Sequence, residues 1–353
     1  MYRYPYAFEL VRSIRSGWNL GNTFDCVPKP HQLKENLTPE VFQTAWGNLA
    51  ATRAQLEMVR DAGFDALRLP VTWGMYLGDA PDYTIDPIWL RQVEIIVREA
   101  FSLGFRVILN VHHDGAPPMG AISLEADKLD RSEEILCAIW RQLAAHFADL
   151  GESLIFETMN EPRIGDNWDG SEEGCAAVNR LNAAALRVIR AAGGCNTMRY
   201  VMLPTYAASP KEIAYRYMKL PEDDRIIVSV HAYFPTEYCF PNRAVTWDAP
   251  REHWGDLKDH RRLNAMFDLM EQYFIRKGVP VIIGETGAVK KSDNENRMLW
   301  TAVYTKEAAM RGIPCFWWDE GNCRESGFGL FDRRTLVCKE PEITAILTGK
   351  TVG

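Results

Sequence analysis

The chain has 353 residues, 47% of them hydrophobic and 25% charged, with a net charge of −7. That is the make-up of a globular protein with a large core, and the acidic balance argues against nucleic acid or an acidic membrane surface as a partner. The length suits one large α/β barrel of roughly 250 residues or more, and no run approaches the roughly 18 apolar residues of a membrane-spanning helix. Residues 1–6 carry no long apolar stretch, so no signal peptide is visible at the start. The 8 cysteines include no CxxC pair. This disfavours a zinc ribbon and fits mostly free, buried thiols. The 11 Trp, 13 Tyr and 15 Phe fit either a big core or a cleft lined with flat rings for sugars.

In chain order, residues 17–20 form the first strand candidate, followed by a turn at Gly21-Asn22 and a long loop that carries Trp46. Residues 51–62 read as a helix stopped by Gly63, and 66–70 as a strand. A strong helix over 87–103 shares one apolar face through Ile88, Val93, Ile96, Val97 and Ala100. Strand 105–111 closes on His112-His113-Asp114, and helix 131–150 ends at Gly151. The apolar run Leu154-Ile155-Phe156 leads to Thr158-Met159-Asn160-Glu161-Pro162, taken as the tip of the fourth strand. Helix 173–192, strand 199–204, a short helix over 210–220 and strand 225–230 follow, the last closing on His231-Ala232-Tyr233. A ring-rich loop over 234–260 holds Tyr238, Phe240, Trp247 and Trp254. Helix 262–277, strand 280–285 closing on Glu285, helix 295–311, strand 313–319 and a tail helix near 342–347 complete the chain.

Strands that read as continuous apolar runs are the mark of parallel strands covered on both faces. Eight of them alternate with about eight helices, six of which stop at a Gly suited to a left-handed cap. The expectation is therefore a single (β/α)8 TIM barrel occupying residues 1–353 as one catalytic domain. Gly17-Trp18-Asn19-Leu20-Gly21-Asn22 is not the GxGxxG loop of a doubly wound nucleotide-binding sheet.

In such a barrel the site lies at the C-terminal ends of the strands. Those ends carry Asn19 and Asn22, Arg68, His112 to Asp114, Asn160 and Glu161, His231 and Tyr233, Glu285, and Trp317 to Asp319. Taken singly, an Arg there is an ordinary salt-bridge residue and a His a satisfied structural one. Their placement together on one rim is what points to chemistry. Two carboxylates, each closing its own apolar strand, are the working parts of many glycoside hydrolases.

Trp18-Asn19-Leu20-Gly21-Asn22-Thr23, Arg68-Leu69-Pro70, His112-His113-Asp114, Asn160-Glu161-Pro162, His231-Ala232-Tyr233, Gly284-Glu285 and Trp317-Trp318-Asp319 together resemble glycoside hydrolase family 5. The resemblance runs over about residues 15–330. The first of these motifs, Ala45-Trp46-Gly47-Asn48 and Trp317-Trp318-Asp319 look like subfamily 4, the endo-β-1,4-glucanases that take cellulose, mixed-linkage glucan and often xyloglucan. The chain departs from the usual pattern at Thr286, where Phe or Trp is commoner, and at Glu320, where Asn is commoner; both bear on subsite preference.

The resemblance implies retaining hydrolysis of a β-glycosidic bond, with Glu161 as general acid/base and Glu285 as nucleophile. Glu161 then needs a raised pKa, and Glu285 must stay ionised, a task for Arg68. Tyr233 is expected to donate to Glu285, His231 to bond Glu161, and Asn160 to donate to the sugar 2-hydroxyl. Asn22, His112 and His113 are expected at the sugar, with Trp317 or Trp318 as the floor of the −1 subsite and the family pattern favouring Trp318. Trp168 and the 234–260 rings are further platform candidates. No cofactor is expected. The expected partner is a β-glucan polysaccharide or oligosaccharide, with no nucleic acid and no membrane, and the chain is expected to act as a monomer. Polymeric glucan does not enter cells, so secretion or the cell envelope is the expected location.

The rival readings are a β-mannanase or β-xylanase with the same carboxylate pair, a non-catalytic glycan-binding barrel, and a metal-dependent barrel hydrolase ligated by His112, His113, Asp114 and His231. Against the last, no His-x-His follows the first strand, and adjacent histidines on a strand point to opposite faces.

Overall fold

A computed structural model describes residues 4–28, 38–115, 120–240 and 250–350. Eight parallel strands run in sequence order around a closed barrel: β1 Gly17–Leu20, β2 Ala66–Leu69, β3 Arg106–Asn110, β4 Leu154–Glu157, β5 Val201–Pro204, β6 Ile226–His231, β7 Val281–Thr286 and β8 Cys315–Asp319. The ring closes where β8 pairs with β1, Gly17 opposite Phe316 and Asn19 opposite Trp318. At that seam the Phe316 ring lies against Gly17, where an added Cβ would stand 2.2 Å from it.

A helix follows each strand: Arg53–Asp61, Pro87–Ser102, Leu129–His146, Glu172–Ala191, Glu212–Arg216, Leu257–Tyr273, Asn294–Met310 and Pro341–Thr348. Almost every strand residue is buried, because helices cover the outside and side chains fill the inside. This is why the strands carry no polar alternation.

Element ends differ from the sequence reading for local reasons. The helix expected from residue 262 begins at Leu257, because Asp256 caps it by accepting from Asp259 N–H. Its first turn is not apolar on the core side, so periodicity alone starts it too late. The 210–220 helix is the single turn-and-a-half Glu212–Arg216. Of the six glycines expected as left-handed stops, Gly63, Gly104, Gly193, Gly278 and Gly312 have positive φ. Gly151 does not cap a helix, since the preceding one has already ended at His146. Several elements were not foreseen, among them the short helices Pro39–Thr44 and Thr236–Cys239 inside the two expected loops. The helix Pro5–Ser13 packs beneath the N-terminal ends of β5 to β7, where Tyr4 N–H donates to Gly278 O and Tyr200 hydroxyl to Tyr6 O. A small hairpin, β9 Phe331–Asp332 and β10 Val337–Cys338, follows the barrel.

The turn after β9 carries Arg333, which is buried. Its guanidinium donates to Gly21 O at 2.9 Å and Thr23 Oγ1 at 3.0 Å beyond β1, and to the Asp319 carboxylate at 3.2 Å at the end of β8. It fastens the seam from above. All eight cysteines are free, five of them buried.

Candidate active site

Side chains of one parity on each strand point into the barrel, and the layer nearest the C-terminal rim is polar. Asn19, Arg68, Asn110, Glu157 and Ser229 are all inaccessible to solvent. Arg68 on β2 is the hub. It donates to Glu285 Oε1 at 2.7 Å, Asn19 Oδ1 at 3.0 Å, Asn160 Oδ1 at 2.7 Å and Glu157 Oε2 at 2.8 Å. A buried guanidinium needs this much, since its charge is costly without carboxylates and its five donors without acceptors.

Glu285 on β7 is buried. The Tyr233 hydroxyl donates to its second oxygen at 3.0 Å. Glu161 lies not at the strand tip but four residues past the end of β4, in the loop that Pro162 begins to redirect. His231 Nδ1 is 2.9 Å from Glu161 Oε1 and 3.7 Å from Glu285 Oε2, so one imidazole bridges the two carboxylates. One atom from each of the three lies within 4.8 Å of the others. A carboxylate pair this close has the spacing of retaining glycosidases, about 5–5.5 Å, and not the wider gap that leaves room for a water in inverting ones.

A family model for cellulase, glycosyl hydrolase family 5, matches residues 30–324. The chain belongs to this family. Endoglucanase A of Ruminococcus albus is 40% identical over 341 residues, covering 94% of this chain and 89% of that protein. A solved structure described as a GH5-4 broad specificity endoglucanase from Clostridium longisporum superposes with a TM-score of 0.89 at 36% identity, covering 97% of each chain. A xyloglucan-specific endo-β-1,4-glucanase of family 5 from a metagenomic library, solved with cellotriose, gives a TM-score of 0.89 at 31% identity over 98% of this chain and 99% of that one.

The electrostatics of this family 5 site differ from the sequence expectation. Burial pushes the Glu161 pKa up, but the bond to His231 and its charge outweigh burial and hold it below the usual value. Burial also lifts Glu285, and here His231 and Arg68 do not fully reverse it, so Glu285 sits above its usual value. Burial opposes charge on His231, yet Glu285 and Glu161 together raise its pKa. The two directions agree: the 2.9 Å contact between His231 and Glu161 favours the charged form of each. A basic, desolvated Glu285 is also a stronger nucleophile than one pinned low by its cation.

The remaining expected residues fall into two sets. His112 stacks parallel to Trp318, ring centres 5.9 Å apart, and half-exposed His113 meets Trp46 at 5.7 Å. Burial keeps both histidines neutral, lowering His112 well below the ordinary value and His113 to about 4. Asn110 Nδ2 donates to His112 Nδ1 at 3.0 Å, which leaves Nε2–H as the outward donor. Asn22, in a left-handed turn with φ 52°, sits half-buried past the end of β1. Trp317 does not belong to the site. Opposite Asn19, which points inward, lies Trp318; Trp317 shares the outward parity of Trp18, is 1% exposed, and packs against Trp300 under the helix layer.

A cleft of about 1050 Å³ runs from His112 and His113 past Glu161 to Trp168. Arg163 stacks on Trp168 at 3.8 Å and reaches to 4.0 Å from Glu161. Tyr238 and Trp254 of the ring-rich loop are buried and pack as core, and Trp247 lies outside the described residues.

The histidine argument also needs correction. His112 and His113 lie beyond β3, and their rings meet edge to face at 4.4 Å instead of pointing apart. Their acidic neighbour is Asp25 and not Asp114, whose carboxylate accepts from Trp73 and Gly74 N–H. Both Asp25 oxygens accept backbone N–H groups from Asn22 and Thr23. In the other trio, Glu161, His231 and Glu285, the Arg68 guanidinium already sits 2.7 Å from Glu285.

Sequence reasoning passed over Glu157, Asn110 and Ser229, which brace the rim layer from below. Each is a polar residue inside or ending an apolar run, and that was the available signal.

Proposed function

We propose that this chain is a retaining endo-β-1,4-glucanase acting on internal bonds of β-glucan chains by double displacement. The observation that carries it is the close carboxylate pair with unlike partners: Arg68 and Tyr233 on Glu285, His231 on Glu161. The family membership and the named activities of the relatives point the same way.

Glu285 attacks the anomeric carbon from one face while Glu161 passes to the departing glycosidic oxygen the proton it draws from His231 across their 2.9 Å bond. The product is a glycosyl ester on Glu285 and a free aglycone end. Glu161, now a carboxylate, takes a proton from water, whose oxygen displaces Glu285 and restores the β configuration. Arg68 and Tyr233 hold Glu285 in the attacking pose and stabilise it again as it leaves. Esterification removes one negative charge beside Glu161, which lowers its proton affinity when it must become a base. His231 relays between the two states.

Asn160 spends its carbonyl oxygen on Arg68, which turns Nδ2 toward the sugar 2-hydroxyl. His112 and His113 bond neighbouring hydroxyls, Trp318 floors the −1 sugar, and Asn22 meets the sugar at the mouth. Residues 1–353 act as one catalytic domain, as a monomer, since one chain supplies every group named here. The site of action is outside the cell or at its envelope, where polymeric glucan is. Among the described residues no helix is long and apolar enough to cross a membrane.

E285Q tests the reading. It should abolish turnover of carboxymethyl-cellulose and barley glucan while cellooligosaccharide binding persists. Proton NMR of early wild-type hydrolysate should show the β-anomer first. Turnover by E285Q above trace, or an initial α-anomer, refutes it.

A further inference from the structure

Glu157 has no part in the steps above, yet it is a fully embedded carboxylate at the rim. It is inaccessible to solvent, and it sits on the opposite side of Arg68 from Glu285. Arg68 meets its Oε2 through both Nε at 2.8 Å and Nη2 at 2.7 Å, while Glu285 receives Nη1 alone. Ser229 Oγ donates to Glu157 Oε1 at 2.5 Å, and Asn110 Nδ2 to Oε2 at 3.0 Å. His231 Nε2 stands 4.0 Å away. Every donor that fixes Glu157 comes from another strand: β2, β3 and β6.

From this geometry we infer that Glu157 is a positioning residue that sets the basicity of Glu285, a reading that rests on Glu285 being the nucleophile. A guanidinium facing one carboxylate lends it its full charge. A guanidinium clamped between two lends each only part, and the fixed carboxylate adds its own repulsion. Glu157 thus prevents Arg68 from over-stabilising Glu285 as an ion, which would make it a poorer nucleophile. It also holds the guanidinium plane, so that Nη1 and Nη2 present one donor each to Glu285 and Asn160. The charged and titratable groups around it are Arg68, His231, Glu285 and Glu161, with His112 and Asp25 further out. Neutralising Glu157 makes the potential at all of them more positive, so each releases its proton at lower pH.

E157Q keeps the shape and removes the charge. Its bell-shaped kcat/KM profile on an aryl β-cellobioside should move as a whole to lower pH, the acid limb by about one unit. A purely structural role lowers the bell without moving it, and an unmoved bell in folded E157Q overturns the inference. Where E157Q shows no cooperative melting, E157D takes its place. It keeps the charge but withdraws it from Arg68, so a smaller shift in the same direction is expected, and an unmoved bell again overturns the inference. E285Q run alongside separates the two readings. Turnover by E285Q removes the nucleophile assignment itself, whereas an inactive E285Q with an unmoved E157Q bell removes only the role of Glu157.

Discussion

Tyr233→Phe isolates one hydrogen bond at the nucleophile. The hydroxyl donates to Glu285 Oε2 at 3.0 Å, and the ring is held independently by Phe240 at 4.9 Å and Phe328 at 5.6 Å. Removing the oxygen therefore leaves the packing in place. A hydrogen bond to a charged group is worth about 1.5–3 kcal/mol net. Tyr233 is only partly buried and Arg68 still holds Oε1, so the lower half of that range applies. At about 1.4 kcal/mol per decade, that is roughly a 12- to 40-fold fall in kcat. The loss should be greatest where Glu285 departs as a carboxylate, so the glycosyl-enzyme accumulates and KM falls with kcat. A lost donor to the charged form also raises the Glu285 pKa, moving the acid limb of kcat/KM upward. Steady-state kinetics on an aryl β-cellobioside across the pH range, with a thermal melt as control, reads all three. A kcat within about threefold of wild type with the acid limb in place refutes the reasoning.

Glu161→Ala should lose polymer hydrolysis but retain much of its rate on aryl glycosides with activated leaving groups, and azide should yield a β-glycosyl azide; an α-azide means the stereochemistry was misassigned. Trp318→Ala should raise KM for cellooligosaccharides far more than it lowers kcat, while Trp317→Ala should appear chiefly as lost stability, of about 3–5 kcal/mol. Arg199→Met should cost about 3 kcal/mol or more by denaturant unfolding, because the buried guanidinium donates to Asn196 Oδ1 and to the carbonyls of Phe147, Leu150, Gly151 and Leu154, and pairs with no carboxylate. Burial lifts Asp114 and Glu320 to about 7 and Asp25 to about 6. These groups hold their protons more tightly folded than unfolded, so their contribution is full below about pH 4 and is lost as pH rises toward 7. D114N and E320Q should flatten this fall of the melting temperature; a melting temperature that rises through the window in wild type and variants alike contradicts the assignment.

The barrel was legible because its logic is repetitive. An apolar run and an amphipathic stretch recur eight times, and each rim residue that matters interrupts or ends a run. What the sequence could not show depended on register. Whether Trp317 or Trp318 faces inward is a matter of parity relative to Asn19, and that is set by the pairing of β8 with β1. Glu161 was placed at a strand tip, yet β4 stops at Glu157 and hands the inward position to a residue that resembled the end of a core strand. His112 and His113 were judged by strand alternation, which does not hold once the strand has ended at Asn110. The ionisation of the glutamates was read from pairwise partners. Burial, which no single residue announces, decides it for Glu285, and the shared imidazole decides it for Glu161.

The Arg333 fastening has a consequence for how the chain is made. A polypeptide that stopped at residue 324, where the family match ends, would hold all eight strands, both glutamates and every cleft residue named above. It would still lack the guanidinium that ties Gly21 and Thr23 to Asp319. Synthesis begins at the opposite end, so β1 emerges first and must await β8, its partner across the seam, and longer still the group that locks them together. Until then the ring is an open curl with a bare strand edge at each lip, and those edges are the surfaces most prone to pair with another nascent copy.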